Sequence, residues 1–113
     1  MKNPTVDPVS IRESVIIVRT RGIELTASER GELHRAEVAL GRVFRRIHRI
    51  EWKVAALPQG FEVRCEIRAL SGVFAASASE DSARTSIQAV TQQILKQKRR
   101  AKETGISRRR VGA

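Results

Sequence analysis

The chain has 113 residues, with 22 Lys and Arg against 12 Asp and Glu, so its formal net charge is +10. This length predicts one domain with a modest core, and the lack of an apolar run of about 20 residues predicts no membrane span. The single cysteine excludes an internal disulfide and a cysteine-based zinc cluster. Because the N-terminus also lacks a stretch of signal-peptide type, we expect a cytoplasmic protein.

The first half of the chain predicts a strand followed by a long helix. Residues 14–21 are rich in β-branched side chains, which predicts a strand after a flexible leader over residues 1–13. Thr26 and Glu29 have the spacing of a capping box at a helix start. Apolar residues then recur at three- and four-residue spacing, which predicts a helix that ends near His48.

Three strands are predicted next, each from alternation of apolar and polar side chains. Residues 49–57 and 61–70 are separated by the turn Pro58-Gln59-Gly60, and the turn Ser71-Gly72 leads to a fourth strand over residues 73–79. The inward face is formed by Ile50, Trp52, Val54 and Ala56 of one strand and by Phe61, Val63, Cys65, Ile67 and Ala69 of the next. A second helix is predicted from about Asp81.

This order predicts an α+β fold of the type β-α-β-β-β-α. We expect a two-layer sandwich in which a largely antiparallel, four-stranded sheet carries both helices on one face. The domain is predicted to cover residues 14–103, and residues 104–113 are predicted to form a basic flexible tail.

The positive charge is concentrated near the C-terminal end of the chain. Residues 94–110 contain eight Lys and Arg and one Glu, a net charge of +7. The first predicted helix adds a basic face, so two helices on one side of a sheet would offer two basic ridges to a nucleic-acid backbone. With only one Trp and three Phe, binding by base stacking is not expected. The candidate RNA-binding residues are Arg35, Arg42, Arg45, Arg46, Arg49, Lys96, Lys98, Arg99, Arg100 and Lys102.

No combination of residues predicts catalysis or metal binding. His34 and His48 are expected fourteen residues apart on the first helix, where they form no close ligand pair. Cys65 lies on the apolar side of its strand, which favours a buried structural thiol. We therefore expect no catalytic residue, no metal, no cofactor and no small-molecule substrate.

Several motifs together resemble the ribosome hibernation factors. They are RGIELT at residues 21–26, FRRIHRIEW at residues 44–52, PQGFEVRCEI at residues 58–67, SGVFAASASED at residues 71–81, and the basic C-terminal helix. The likeness covers roughly residues 14–102 and is greatest to the short form of the family, the ribosome-associated inhibitor A or protein Y group. Several features depart from that family: a Tyr is missing after Asp81, Ala36 and Ala39 stand where family members commonly have lysines, and the tail is basic where some relatives end acidic. The dimerisation domain of the long form is not expected.

The resemblance implies a non-catalytic protein that binds the small ribosomal subunit in its mRNA and tRNA channel and silences translation under stress or in stationary phase. It also implies that Lys96, Arg99 and Arg100, and more loosely Lys98 and Lys102, contact rRNA. We expect the free protein to be monomeric. Two other functions remain open: a generic RNA-binding or chaperoning module, and a regulator that binds an acidic protein partner.

Overall fold

The order of secondary-structure elements confirms the predicted β-α-β-β-β-α fold. A computed structural model of the protein describes the backbone of residues 14–112 and the side chains of residues 14–101. The elements are β1 (Val15–Arg21), α1 (Ala27–Val43), β2 (Ile47–Leu57), β3 (Gly60–Ala69), β4 (Gly72–Glu80) and α2 (Ala83–Gly112). The leader over residues 1–13 lies outside the described residues. The division into leader, domain and tail stays a prediction.

The four strands form one sheet in the order β1-β2-β3-β4. β1 and β2 are parallel, because α1 connects them, whereas β2-β3 and β3-β4 are antiparallel hairpins. The sheet is therefore largely antiparallel, as predicted. Gly60 in the β2–β3 turn has φ of 143°, and a Cβ there would lie 2.5 Å from the carbonyl oxygen of Glu80, so this turn requires glycine.

Both helices pack on the same face of this sheet. Ile50 and Trp52 of β2 and Cys65 of β3 are fully buried there, against apolar residues of α1 and α2. The alternation predicted for these strands is confirmed through the centre of the sheet; at its margin Ala56 is exposed and Phe61 is half-buried. The opposite face carries no helix of the described chain, and we call it the open face.

The first helix ends five residues earlier than the sequence pattern predicts. Its capping box is present, with Glu29 N–H donating to the Thr26 hydroxyl at 3.1 Å and Thr26 N–H donating to the Glu29 carboxylate at 2.8 Å. Its C-cap, however, is Phe44, which has extended backbone angles. Ile47 already pairs with Ala69 of β3, so pairing in the sheet outweighs the helical periodicity there.

The second helix starts two residues later than predicted. Ser82 caps it, since its hydroxyl accepts the N–H of Thr85 at 3.1 Å. The buried hydroxyl of Ser86 donates to the carbonyl of Phe61 at 2.9 Å and accepts the N–H of Glu80 at 3.0 Å. These bonds fix the first turn of α2 to both strands of the β3–β4 hairpin.

Candidate nucleic-acid interface

The two helices run parallel, so their C-terminal parts lie at the same end of the molecule. At their starts, Arg84 of α2 lies 3.5 Å from the carboxylate of Glu32 on α1. Beyond the end of α1, the ammonium of Lys98 lies 5.6 Å from the centre of the Phe44 ring. The chain path explains this arrangement, because each helix returns antiparallel to the strand before it, and β1 and β4 point the same way.

Three arginines lie where α1 ends and the chain enters β2. Arg42 belongs to the last helical turn, where the negative end of the helix dipole favours a cation. Arg45 and Arg46 follow in the connection, not on the helix as predicted, and all three are exposed. The carbonyls of Arg45 and Arg46 accept the N–H of Leu70 at 3.4 and 3.2 Å, which holds the connection against the β3–β4 turn.

The predicted cations of α2 differ in solvent exposure. Lys96, Arg99 and Arg100 are exposed. Lys98 is half-buried: besides its position over Phe44, its ammonium lies 3.5 Å from the hydroxyl of Ser71. Lys102 belongs to the helix, but its side chain lies outside the described part of the chain.

Seven of the predicted residues lie at this end of the molecule, and we call this set the basic end. It consists of Arg42, Arg45, Arg46, Lys96, Lys98, Arg99 and Arg100. Their side chains supply seven positive charges at the end of the molecule where α1 stops and α2 continues. Such a cluster of guanidinium and ammonium groups fits phosphate oxygens in a polyanion.

Two predicted site residues lie away from the basic end. Arg35 is on α1 but donates to Glu32 at 2.9 Å, and Glu32 also approaches Arg84. The hydrogen bond from Arg35 holds the pKa of Glu32 below its ordinary value, against the opposing effect of burial. Arg49 lies in the strand predicted for residues 49–57, on the open face of β2 and 3.2 Å from the carboxylate of Glu51, and so does not extend the basic face of α1.

The sequence pattern missed a buried carboxylate in the core. Glu37 is 7% exposed and accepts a hydrogen bond from the indole of Trp52. Its other neighbours line a small, largely apolar cavity between β1 and α1 that includes Val18, Leu25 and His34. The signal was present, because Glu37 is four residues after Leu33 and falls within the apolar stripe of α1.

No group of three or more His, Cys, Asp or Glu in the described part of the chain could hold a metal ion. His34 is exposed on α1, and His48 is exposed in β2 instead of on the helix as predicted. Cys65 is fully buried, and burial raises the pKa of its thiol. Among the described residues, no helix has the length and apolar character needed to cross a membrane.

Several solved structures share this fold, among them the following two. The crystal structure of the N-terminal domain of Thermus thermophilus protein Y aligns with a TM-score of 0.68 at 11% identity, over 77% of this chain and 97% of that one. A ribosomal subunit interface protein from Coxiella burnetii aligns with a TM-score of 0.63 at 14% identity, over 77% and 98%. No protein-family model and no curated protein matches the sequence. The comparisons therefore confirm, at the level of the fold, the resemblance to the ribosome hibernation factors that the sequence motifs indicate.

Proposed function

We propose that this protein is a non-catalytic, cytoplasmic factor that binds the small ribosomal subunit in its mRNA and tRNA channel and inhibits translation under stress or in stationary phase. Its partner is rRNA, bound through the phosphate backbone by the basic end. Arg42, Arg45, Arg46, Lys96, Arg99 and Arg100 make the main contacts, with Lys98 and Lys102 as lesser contributors.

The parallel arrangement of the two helices is the observation that carries this proposal. It brings the cations after α1 and those of α2 to one end of a rigid body, although they are about fifty residues apart in the chain. Helix α2 has 30 residues and a length of about 45 Å, and Lys96, Arg99 and Arg100 on it are exposed. A groove between RNA segments is a partner that such an exposed basic end fits.

The fold neighbours support a ribosomal partner over other polyanions. One is a protein Y domain and the other is described as a ribosomal subunit interface protein. An anionic membrane would favour large apolar side chains beside the cations. Among the described residues near the basic end, the exposed large hydrophobic side chains are the scattered Val43, Leu70 and Val73, so a phosphate backbone is the better match.

The proposal is tested by binding to purified small subunits and to an unrelated structured RNA, in parallel. We expect strong preference for the small subunit and inhibition of cell-free translation, with prior occupancy of the channel by mRNA and initiator tRNA giving protection. If about four phosphates are contacted, affinity falls with salt with a log–log slope of roughly −3 to −4.

Two experimental outcomes would support one of the alternative functions instead. Equal affinity for the small subunit and the unrelated RNA, without competition by tRNA, identifies a generic RNA-binding module. Sedimentation away from ribosomal fractions in extracts of starved cells, insensitive to ribonuclease, identifies a protein partner. Either result contradicts the hibernation assignment.

A further inference from the structure

The open face of the sheet carries its own excess of positive charge. Side chains at alternate strand positions point away from the helices, and parallel or antiparallel partners share a face. The register therefore assigns six cations and three anions to this face, a net charge of +3. They are Arg19, Arg21, Arg49, Lys53, Arg64 and Arg68 against Glu51, Glu62 and Glu66.

Three of these cations stand side by side across the middle of the sheet. Arg19 of β1 pairs in register with Lys53 of β2, and Lys53 pairs with Arg64 of β3. With strands roughly 4.8 Å apart, the row spans about 10 Å. All three side chains are exposed. Like charges directly opposite one another destabilise a sheet, so stability of the sheet does not account for this row.

The acidic residues of the open face leave two members of the row unpaired. Glu51 binds Arg19 at 2.8 Å and Arg49 at 3.2 Å, and Glu66 lies 3.9 Å from Arg68. Among the described residues, no ion pair joins Lys53 or Arg64 to an acid. Their charges are therefore available to an external anion at the centre of the face.

The surroundings of the row favour a phosphate backbone over other occupants. The register puts no aromatic side chain on this face, so bases have nothing to stack on. Its large exposed hydrophobic residues, Val15, Leu57 and Val73, lie at its margins, which does not suit insertion into a lipid surface.

We propose that the open face is a second RNA-binding surface, centred on Arg19, Lys53 and Arg64, which takes the phosphate backbone of an RNA segment on the side of the sheet opposite to the helices. This inference rests on the proposed function in that RNA is the partner. It adds that the protein is held between two RNA segments, one at the basic end and one across the sheet.

The test compares two single substitutions that remove the same charge from exposed arginines. Arg64→Gln changes the row, whereas Arg30→Gln changes α1 outside both surfaces; neither arginine has an ion pair in the described part of the chain. Binding is titrated with salt on small subunits and on an RNA duplex of about 20 base pairs. We expect Arg64→Gln to weaken binding roughly three- to tenfold and to reduce the salt slope by about 0.8, and Arg30→Gln to do neither.

The two-sided arrangement is tested by hydroxyl-radical footprinting of the rRNA. Arg64→Gln should remove protection from one RNA segment, and the basic-end variant Arg99→Gln/Arg100→Gln from another. Loss of the same segment with both variants contradicts the arrangement. Polyglutamate and phosphatidylserine vesicles serve as other polyanions: if Arg64→Gln weakens binding to one of them but not to RNA, the RNA proposal is wrong.

Failure of this proposal is distinguishable from failure of the proposed function. If Arg64→Gln behaves like Arg30→Gln while Arg99→Gln/Arg100→Gln loses small-subunit binding, the open-face proposal is overturned and the ribosomal function stands. If wild-type protein does not prefer small subunits to the duplex, the ribosomal function is overturned. In that case the open-face proposal is tested by binding to the RNA duplex alone. Equal affinities of Arg64→Gln and Arg30→Gln for the duplex would overturn the open-face proposal as well.

Discussion

The indole Nε1 of Trp52 donates a hydrogen bond of 3.0 Å to a carboxylate oxygen of Glu37, joining the centre of the sheet to α1. Trp52 is fully buried and Glu37 is 7% exposed, so the bond lies in the core. Burial raises the pKa of Glu37, and the hydrogen bond from Trp52 opposes that rise to a smaller extent. The ionised carboxylate is therefore a cost to folding at neutral pH, partly offset by its donor.

Glu37→Gln should stabilise the protein at pH 7. The raised pKa means that the folded state binds the proton more tightly than the unfolded state, so this group contributes stability at low pH that is lost as pH rises through the folded pKa. The substitution removes this loss of stability at neutral pH, because glutamine does not ionise, and it keeps an oxygen that accepts the hydrogen bond from Trp52. The measurement is urea unfolding of both proteins. The excess in the free energy of unfolding of Glu37→Gln over wild type should shrink as pH falls toward about 4, near the pKa of an unfolded glutamate.

Trp52→Phe is the control for this pair, because it leaves the carboxylate in place without its donor. We expect it to cost about 1–3 kcal/mol for the unsatisfied buried charge, in addition to the lost packing. If wild type and Glu37→Gln differ by the same amount at pH 7 and pH 4, folding does not raise the pKa of Glu37.

Cys65 should react slowly with a thiol reagent in the native protein and rapidly in denaturant. Its side chain is fully buried, and burial raises the pKa of the thiol, so little reactive thiolate is present. Cys65→Ser should lower the free energy of unfolding by about 1–3 kcal/mol, because a hydroxyl there lacks a partner. Cys65→Ala controls for the lost volume, and RNA binding by the folded fraction should be unchanged in both variants. Rapid native labelling would contradict this assignment.

Lys98 and Arg99 are neighbours in sequence but should affect different measurements. The ammonium of Lys98 lies over the Phe44 ring, so Lys98→Ala should lower stability by about 0.5–1 kcal/mol. Arg99 is exposed, so Arg99→Ala should leave stability nearly unchanged and reduce the salt slope of small-subunit binding by about 0.8. Thermal unfolding and salt titration of both variants check this. Identical loss of slope in the two would mean that Lys98 leaves Phe44 to contact phosphate.

Local signals in the sequence were sufficient to predict most of the fold. The capping box of Thr26 and Glu29 depends on residues three apart, and the buried face of β3 depends on strict alternation around Cys65. Both are short-range effects of backbone geometry, which is why they can be predicted without knowledge of the partner strands.

The end of α1 could not be predicted in this way. Phe44 and Ile47 are buried, and their spacing fits a helix, yet one is the C-cap and the other already belongs to β2. No glycine or proline marks the boundary; the chain turns instead at Arg46, which has φ of 51°. Pairing with β3 decides the boundary, and this places Arg45, Arg46 and His48 outside the helix on which the periodicity predicted them.

The cation row on the open face depends on register, which sequence alone does not specify. Alternation places Lys53 and Arg64 outward on their own strands, but only the pairing of the strands sets them side by side. Arg19 joins them through a parallel connection across α1. The basic end has the same origin, because the parallel course of the helices is a property of the sheet topology.

The last prediction tests whether the basic end acts as one surface. Arg42→Glu/Arg45→Glu reverses two charges beside α2 without touching the core, since both side chains are exposed. We expect a modest loss of stability, about 0.3–1 kcal/mol, from an acid at the C-terminal end of α1. Small-subunit affinity should fall more than tenfold, or more than about 1.4 kcal/mol.

Arg30→Glu is the matched control for the basic end, because Arg30 is exposed on the same helix about 18 Å from Arg42 along its axis. It should leave affinity within about twofold of wild type, although it changes the net charge of the protein in the same direction as each reversal at the basic end. Affinity is measured at fixed salt by filtration or fluorescence titration, with folding checked by circular dichroism. If Arg30→Glu weakens binding as much as Arg42→Glu alone, overall charge and not the basic end determines affinity, and the arginines that follow α1 have no specific part in binding.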